Sequence, residues 1–180
     1  MKKYLFSLLA IMMLATACET EDVAPAIDGG HVPGEVVGKW MWGSFSYSNF
    51  WSYDGQYAGK PWEQALVLVF KANGEFEEYV INATTSYNCK TEAFTFLKGA
   101  VDFNEAEGTF TLTPTEGNYR GFYSCTPGSN FNRAATAQEL QELTKSYYYT
   151  KMVKEGKTYF VMSSVQSNLE TGIHMEQTSW

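Results

Sequence analysis

The residues with the clearest potential for chemistry are aromatic, and they are concentrated between Val36 and Trp62. This stretch holds four of the five tryptophans of the chain. Aromatic rings with a polar edge suit sites that are half apolar and half wet, such as sugar-binding surfaces, mouths of hydrophobic cavities and protein contacts. The sequence therefore predicts ligand binding by a set of aromatic residues: Trp40, Trp42, Phe50, Trp51, Tyr53, Tyr57 and Trp62. The alternative is that the rings of residues 50–62 fold back as a small core.

Patterns typical of enzymes are missing from the sequence. It contains no Gly-x-Ser-x-Gly elbow, no phosphate-binding loop and no His-Glu-x-x-His. Glu77 and Glu78 are adjacent on a predicted strand, so their side chains point to opposite faces and cannot work as a pair. A hydrolase or isomerase would need a buried carboxylate with a raised pKa in a cleft, which only a structure can reveal. We therefore expect a binding protein without a cofactor.

The cysteines leave two possibilities open. In an oxidising compartment Cys89 and Cys125 favour a disulfide, which would stabilise the fold by about 4 kcal/mol through loop closure. The predicted strand order argues against it, because Cys89 begins one strand and Cys125 ends the strand two later. That order places them at opposite ends of the domain, whereas a disulfide needs α-carbons within about 7 Å. These two cysteines and the two histidines match no zinc-ligand spacing, so we expect no metal site.

The N-terminus has the layout of a signal peptide, predicted over residues 1–17. Lys2 and Lys3 precede an apolar run of about eleven residues, which is too short for a bilayer that needs roughly 20 helical residues. The run ends in Ala-Thr-Ala-Cys18, which resembles the lipobox of bacterial lipoproteins, although alanine replaces the usual leucine at Ala15. The resemblance implies that the Cys18 thiol takes a diacylglycerol. An ordinary secretory signal with an incidental cysteine is the alternative.

The residues after Cys18 give the predicted location. Glu19-Thr20-Glu21-Asp22 resembles export signals that send some Gram-negative lipoproteins to the cell surface. This implies an outer-membrane lipoprotein, exposed at the surface and attached to the membrane through its N-terminal lipid. Residues 18–35 are rich in proline and glycine and are predicted to be a flexible linker. The formal net charge is −7, and loss of the two signal-peptide lysines makes it more negative, so we expect no nucleic-acid binding.

The predicted domain, residues 36–180, must position the aromatic set, and its patterns favour strands. Alternating or continuous apolar runs predict strands at 36–47, 64–70, 75–82, 92–103, 109–113, 118–124, 146–153 and 157–163. Residues 165–180 either add an edge strand or fray. Asn73-Gly74 predicts a tight hairpin, and loops or turns are predicted at 83–89, 114–117 and 126–133. Changes of parity predict bulges at Gly43 and near Lys98-Gly99.

One short helix is predicted at 137–145. Thr136 and Glu139 have the spacing of a capping box, in which each side chain bonds the other residue's backbone. The sequence thus predicts an all-β fold: an antiparallel up-and-down barrel of about eight strands, with the helix before the last hairpin. A sandwich is the less favoured alternative. An eight-stranded barrel is wide enough to enclose one small ligand.

Short motifs resemble those of lipocalins. Gly38-Lys39-Trp40 resembles the Gly-x-Trp whose tryptophan plugs the closed end of a lipocalin barrel. The stretches VFKANGEF, FTFLKGAVDF and GTFTLTPTEG are similar to bacterial lipocalin-like domains of cell-surface lipoproteins, and the resemblance spans residues 36–163. The chain departs from the pattern because no arginine stands late in the last strand and because the helix precedes the last hairpin.

The resemblance implies a small apolar or amphipathic ligand inside the barrel. The interior would be lined or plugged by Trp40, Trp42, Phe94, Phe96 and Phe110. The alternative is a surface interaction module with a filled barrel, in which the aromatic loop 50–62 contacts glycan or a protein partner. Whether the interior is filled distinguishes the two hypotheses.

Overall fold

The computed structural model describes residues 29–44 and 62–179, which form nine antiparallel strands in one sheet. In chain order the strands are β1 (Gly38–Ser44), β2 (Trp62–Phe70), β3 (Glu75–Ser86), β4 (Cys89–Asn104), β5 (Thr109–Tyr123), β6 (Phe131–Ala134), β7 (Lys145–Lys154), β8 (Lys157–Ser163) and β9 (Ile173–Thr178). The helix α1 spans Ala137–Glu142, and short 3-10 helices span Pro127–Ser129 and Gln166–Thr171.

Eight of these strands close into a barrel. Each pairs with the next along the chain, β5 pairs with β7, and β9 pairs back onto β1 through Lys39 opposite Thr178. The short strand β6 pairs with β5 alone. The predicted eight-stranded up-and-down barrel is therefore confirmed. The C-terminal segment, for which the sequence left an edge strand or a frayed end, instead supplies the strand that closes the ring.

We call the end at which β1 finishes and β2 begins the mouth, and the opposite end the closed end. Three short turns lie at the closed end, and the predicted one at Asn73-Gly74 is confirmed, with Gly74 at φ +80°. The stretch before β1 also packs here, because Val32 and Val36 belong to the core and the backbone N–H of Phe103 donates to the His31 carbonyl. The packed chain thus begins before the predicted domain boundary at residue 36.

The predicted loop at 83–89 is wrong. Strand β3 runs on to Ser86, and a two-residue turn, Tyr87-Asn88, leads directly into β4. Both turn residues have positive φ, 49° and 63°, which suits the twist of a tight hairpin. The polar residues that suggested a loop belong instead to the exposed end of the β3–β4 hairpin. A strand that is solvated on both faces needs no apolar face.

The predicted turn at 114–117 is also wrong, because β5 continues through it. The bulge expected near Lys98-Gly99 is confirmed, and its extra residue lies on β5. Lys98 pairs with Glu116 and Gly99 pairs with Pro114, so Thr115 between them has no partner on β4. A bulge accommodates a proline that a regular central strand would exclude, which explains why Pro114 does not end β5.

The bulge predicted at Gly43 is wrong, since β1 and β2 pair without a break from Gly38 to Ser44. Gly43 is needed for another reason. Its φ is +84°, and a β-carbon there would collide with the Gln64 carbonyl oxygen of the neighbouring strand. Only glycine combines that backbone angle with so close an approach.

The helix forms where predicted but ends earlier. Thr136 and Glu139 make the full capping box, and α1 ends at Glu142, because Lys145 already belongs to β7. Strand β6 was missed, since the sequence predicts a loop over 126–133. Within residues 29–44 and 62–179, no helix has the length and apolar character needed to cross a bilayer.

Candidate functional site

The closed half of the barrel interior is filled by aromatic rings. The ring of Phe110 lies 5.1 Å from that of Phe103, 5.7 Å from Phe70 and 5.6 Å from Phe160, between centroids. Trp40 lies against the same group, 5.7 Å from Phe160, and its indole N–H donates to a backbone carbonyl at 2.8 Å. Rings packed at these separations stabilise a core beyond their buried area. This half of the interior is core.

The half nearer the mouth is different, and β1 shows the change. Trp40 pairs with Leu68 and Trp42 pairs with Leu66, so both tryptophans face the interior. Trp40 is 1% exposed, whereas Trp42, one step nearer the mouth, is 37% exposed. A large ring on an inward position that stays open to solvent marks the point where the packed core ends.

A cavity of about 470 Å³ opens beside Trp42. We call it the mouth cavity. Its apolar wall is formed by Trp42, Tyr147, Met162 and Ile173, and its polar rim by Ser163, Ser164, Thr171 and Gly172. The volume and the mixture of apolar wall with a few polar groups are typical of small-molecule sites.

Tyr147 connects the mouth cavity to the filled core. Its ring stacks on Phe110 at 5.5 Å, with 28° between the planes, and the same residue lines the cavity. Burial, and then the nearby negative charge of Glu78, raises the pKa of the Tyr147 hydroxyl. The hydroxyl therefore stays protonated and can donate a hydrogen bond.

Glu78 is a carboxylate on the inner face of the barrel. It pairs with Leu68 on one side and Leu97 on the other, both of which are core residues. Glu78 is partly buried, and this burial raises the pKa of its carboxyl group. The positive charge of Lys145 acts in the opposite direction and lowers this pKa.

Charge compensation for Glu78 is incomplete. Among the residues that the structure describes, none donates a hydrogen bond to the Glu78 carboxyl or forms an ion pair with it. Its neighbour Glu77 lies on the opposite face, as predicted, where it forms an ion pair with Lys71 at 2.8 Å and accepts a hydrogen bond from Tyr79. Of these two adjacent glutamates, Glu78, which faces the interior, is therefore the one whose charge lacks a compensating partner among the described residues.

The helix α1 covers part of the mouth. Its Leu140, and Leu143 just after it, pack against the interior core. Gly117 on β5 makes room for this contact, because a β-carbon there would lie 2.9 Å from Ala135 Cβ and Leu97 Cδ2. Because Gly117 has no side chain, the helix can pack closely against β5.

An ion pair anchors the start of this helix. Both guanidinium nitrogens of Arg133 bond the Glu139 carboxylate, at 2.7 and 2.9 Å. This contact and the capping bond from the Thr136 backbone hold the pKa of Glu139 down at about 2. The guanidinium of Arg133 also lies 4.8 Å from the centre of the Tyr119 ring, a cation–π contact on β5.

The residues predicted for ligand binding are only partly brought together. Trp40 lies in the filled half, and Trp42 lines the mouth cavity. Phe50, Trp51, Tyr53 and Tyr57 lie outside the described residues, as does Cys18. Trp62 begins β2, and its side chain falls outside the description as well. The prediction for the aromatic loop therefore stays a prediction.

Two phenylalanines predicted for the interior lie on the other face of the sheet. Phe94 packs in a separate cluster with Val67 and Ile81, and the Phe96 ring lies 5.1 Å from Tyr79. The prediction is wrong because the bulge inserts its extra residue into β5, which leaves the alternation of β4 unbroken. Phe110 lies in the interior, as predicted.

Cys89 and Cys125 form a disulfide, with their α-carbons 5.3 Å apart. They meet because β5 is one continuous strand, so its end lies beside the start of β4, with Thr91 opposite Tyr123. The predicted break in β5 would have placed them at opposite ends, and that argument against the disulfide is wrong.

The residues missed from the sequence are Glu78, Tyr147, Met162 and Ile173. A signal for Glu78 was present, since an acidic residue stands on the same parity as Phe76 in a strand whose inner face must be apolar. Met162 and Ile173 carried no such signal, because their role depends on which strands meet at the mouth. No cluster of three or more metal-binding side chains occurs in the described parts of the chain.

Comparisons of the chain with protein-family models, with curated proteins and with solved structures found no match.

Proposed function

We propose that this protein is a lipid-anchored envelope protein whose barrel binds a small apolar or amphipathic ligand at its mouth. The observation that carries the proposal is the mouth cavity of about 470 Å³, walled by Trp42 and Tyr147 above a filled core. The filled half gives a rigid floor, and a cavity on a rigid floor loses little entropy when a ligand binds.

The N-terminal features support the envelope location. The predicted signal peptide and lipobox cysteine, Cys18, would attach the chain to a membrane, as in the bacterial lipocalin-like lipoproteins that it resembles. The Cys89–Cys125 disulfide is consistent with export, because such bonds persist in oxidising compartments and are rare in the cytosol.

A fluorescent probe tests the ligand site. The uncharged dye N-phenyl-1-naphthylamine becomes bright in apolar cavities, and we expect it to bind the wild-type chain. Tyr147→Ala should weaken binding by about fivefold or more, because it removes one wall of the cavity. Tyr148→Ala is the matched control, since Tyr148 sits on the opposite face of β7 and does not line this cavity. Equal loss in both variants, or no binding by the wild type, would refute the proposal.

The interaction-module alternative depends on the loop 50–62, and the described residues add no support for it. A second candidate function, acid–base catalysis, is favoured by one observation, the raised pKa of Glu78 on the inner face of the barrel. Of the described residues that line the mouth cavity, Tyr147 alone is titratable, and its pKa is raised away from neutrality. We therefore favour binding. Mass spectrometry distinguishes the two functions. Catalysis would be favoured if the mass of a bound ligand changed with time in the wild type but stayed constant in Glu78→Gln.

A further inference from the structure

We propose that residues 45–61, the aromatic segment between β1 and β2, pack on the outer face of the barrel and cover a second apolar cluster there. This outer cluster consists of Ala65, Val67, Val69, Tyr79, Ile81 and Phe94. The segment lies outside the described residues, and the support comes from the face that the described strands present. The role is independent of the proposed ligand site.

The first support is the depth of burial. Val67 is fully buried, and Ala65 and Ile81 are 1% and 2% exposed. The outer cluster and the side chains packed against it, Met41, Phe96 and Phe122, all stand on one face of the sheet formed by β1 to β5. Side chains on one face stand side by side, so their tops remain open to water unless a second layer covers them. This face therefore has a covering layer.

The second support comes from two residues that their own strands cannot bury. The neighbour of Ala65 on β1 is Gly43, which has no side chain to shield it. Glu63, on the same outer face, is only 5% exposed, although β1 ends at Ser44, one residue short of the position beside it. The burial of both requires atoms from outside the sheet.

The third support is where the segment begins and ends. Residues 45–61 follow β1 directly and lead directly into β2, so both ends lie at the edge of the outer cluster. Val67 is five residues along β2 from Trp62, about 17 Å at roughly 3.3 Å per residue, which a segment of seventeen residues can span out and back. Residues 1–28, in contrast, lead into Gly29, which packs against Gly74 at the closed end.

The fourth support is the composition of the segment. Residues 45–61 contain six aromatic residues and only two charged ones, Asp54 and Lys60. Rings of this kind bury large apolar areas, and the hydroxyl of a tyrosine can stay at a polar edge, such as the one that Glu63 forms here. Residues 18–28 contain no aromatic residue and are acidic, so they suit an apolar face poorly.

The consequence concerns the residues predicted for ligand binding. When the segment packs on the outer cluster, Phe50, Trp51, Tyr53 and Tyr57 stabilise the wall of the barrel and do not form a surface for glycan or a protein partner. The mouth cavity, on the inner side of the same strands, remains the site for a ligand.

The test uses two isoleucines that separate the outer face from the mouth. Ile81 belongs to the outer cluster, and Ile173 lines the mouth cavity. The chain from residue 18, with Cys18→Ser so that it carries no lipid, is labelled at its isoleucine methyls, and nuclear Overhauser contacts with the ring protons of residues 45–61 are recorded. We expect contacts with Ile81 and none with Ile173. Contacts with Ile173 in place of Ile81, or no contact between the segment and Ile81, would overturn the proposal.

A mixed sample distinguishes a second copy of the chain. Labelled and unlabelled chains are combined, and only contacts between molecules are recorded. We expect none at Ile81, because the segment and the outer cluster belong to the same molecule. If the Ile81 contacts appear between molecules, the outer face is a dimer interface and the proposal is wrong.

A double-mutant comparison gives an independent measurement. Ile81→Ala is made in the wild type and in a chain whose Phe50, Trp51, Tyr53 and Tyr57 are replaced by serine. The increase that Ile81→Ala causes in the unfolding equilibrium constant should be at least about fivefold smaller in the second chain, because residues in contact are not additive. Val101→Ala, in the interior core, is the matched control and should have the same effect in both chains. Additive effects for Ile81 as well would contradict the proposal.

Discussion

The two halves of the barrel interior are built from the same strands, yet they are filled differently. In the closed half, Phe70, Phe110 and Phe160 pack edge to face, and Trp40 lies against them. In the half near the mouth, Trp42 is partly exposed and a cavity opens. The comparison separates stability from binding: the closed half holds the fold together, and the mouth half is free to recognise a ligand.

The connections at the two ends match this division. At the closed end, short turns such as Glu155-Gly156 join neighbouring strands. At the mouth, the turn Tyr87-Asn88 is equally short, whereas the other described connections contain strand β6, helix α1 and two 3-10 helices and add side chains to the rim. Long connections on a rigid scaffold are where binding residues usually lie.

The largest effect should come from the closed half. Phe110→Ala removes a ring that contacts five other aromatic side chains and should lower the free energy of unfolding by about 3–5 kcal/mol. Trp42→Ala, at the mouth, should cost less than about 1.5 kcal/mol, because its ring is already partly solvated. Denaturant unfolding measures both values. Equal losses would erase the distinction between the two halves.

The disulfide should have the next largest effect. Replacing Cys89 and Cys125 by serine should lower the free energy of unfolding by about 2–4 kcal/mol, since the bond closes a long loop in the unfolded chain. Binding at the mouth should survive, because the bond joins β4 to the residues after β5 and does not line the cavity. The comparison with reduced wild-type protein gives the control. If the folded double variant no longer bound a ligand at the mouth, the hairpin formed by β3 and β4 would be needed to position the mouth cavity.

Glu78→Gln should raise stability, with a dependence on pH. Burial raises the pKa of Glu78 in the folded state, so the folded state holds its proton more tightly than the unfolded chain does. The wild type is therefore most stable below the ordinary glutamate pKa and loses stability as pH rises through the raised value. At pH 8 the variant should be more stable by about 1 kcal/mol, and the difference should vanish in acid. A loss of stability at pH 8 would contradict the burial of the charge.

The smallest effect should come from the exposed ion pair at the start of α1. Arg133 and the cap hold the pKa of Glu139 at about 2, so this contribution is present above pH 4.5 and is lost as pH falls toward 2. Glu139→Gln should lower the melting temperature slightly at neutral pH and leave it unchanged near pH 2. A large loss at neutral pH would mean that the helix supports the barrel more than its contacts with β5 indicate.

Much of the fold followed from local patterns. The Asn73-Gly74 turn, the bulge opposite Gly99 and the capping box at Thr136 are short-range features, and each was predicted correctly. The errors arose where polar composition was mistaken for a loop, at Ala83–Cys89, and where a proline was taken to end a strand, at Pro114. Tertiary structure explains both errors: the first segment is a strand in a solvated hairpin, and Pro114 is accommodated by a bulge.

The candidate site was much less predictable. Trp42 was identified as an aromatic residue on the inner face, but its partners come from β7, β8 and β9, which are distant in sequence. The sequence analysis considered Glu78 only as a possible catalytic partner of Glu77 and rejected that pair. Periodicity places a residue on one face of a strand but does not show what surrounds it. Only the closure of the barrel by β9, which the sequence left undecided, brings Ile173 to the mouth.

The most direct test of the account uses the methionine methyl groups of the interior. Met162 lines the mouth cavity, whereas Met175 is fully buried in the core. A protein labelled at its methionine methyls is titrated with N-phenyl-1-naphthylamine and followed by NMR. We expect the Met162 resonance to shift in proportion to binding while that of Met175 stays in place. Equal shifts of both, or a shift of Met175 alone, would contradict a ligand site confined to the mouth above a solid core.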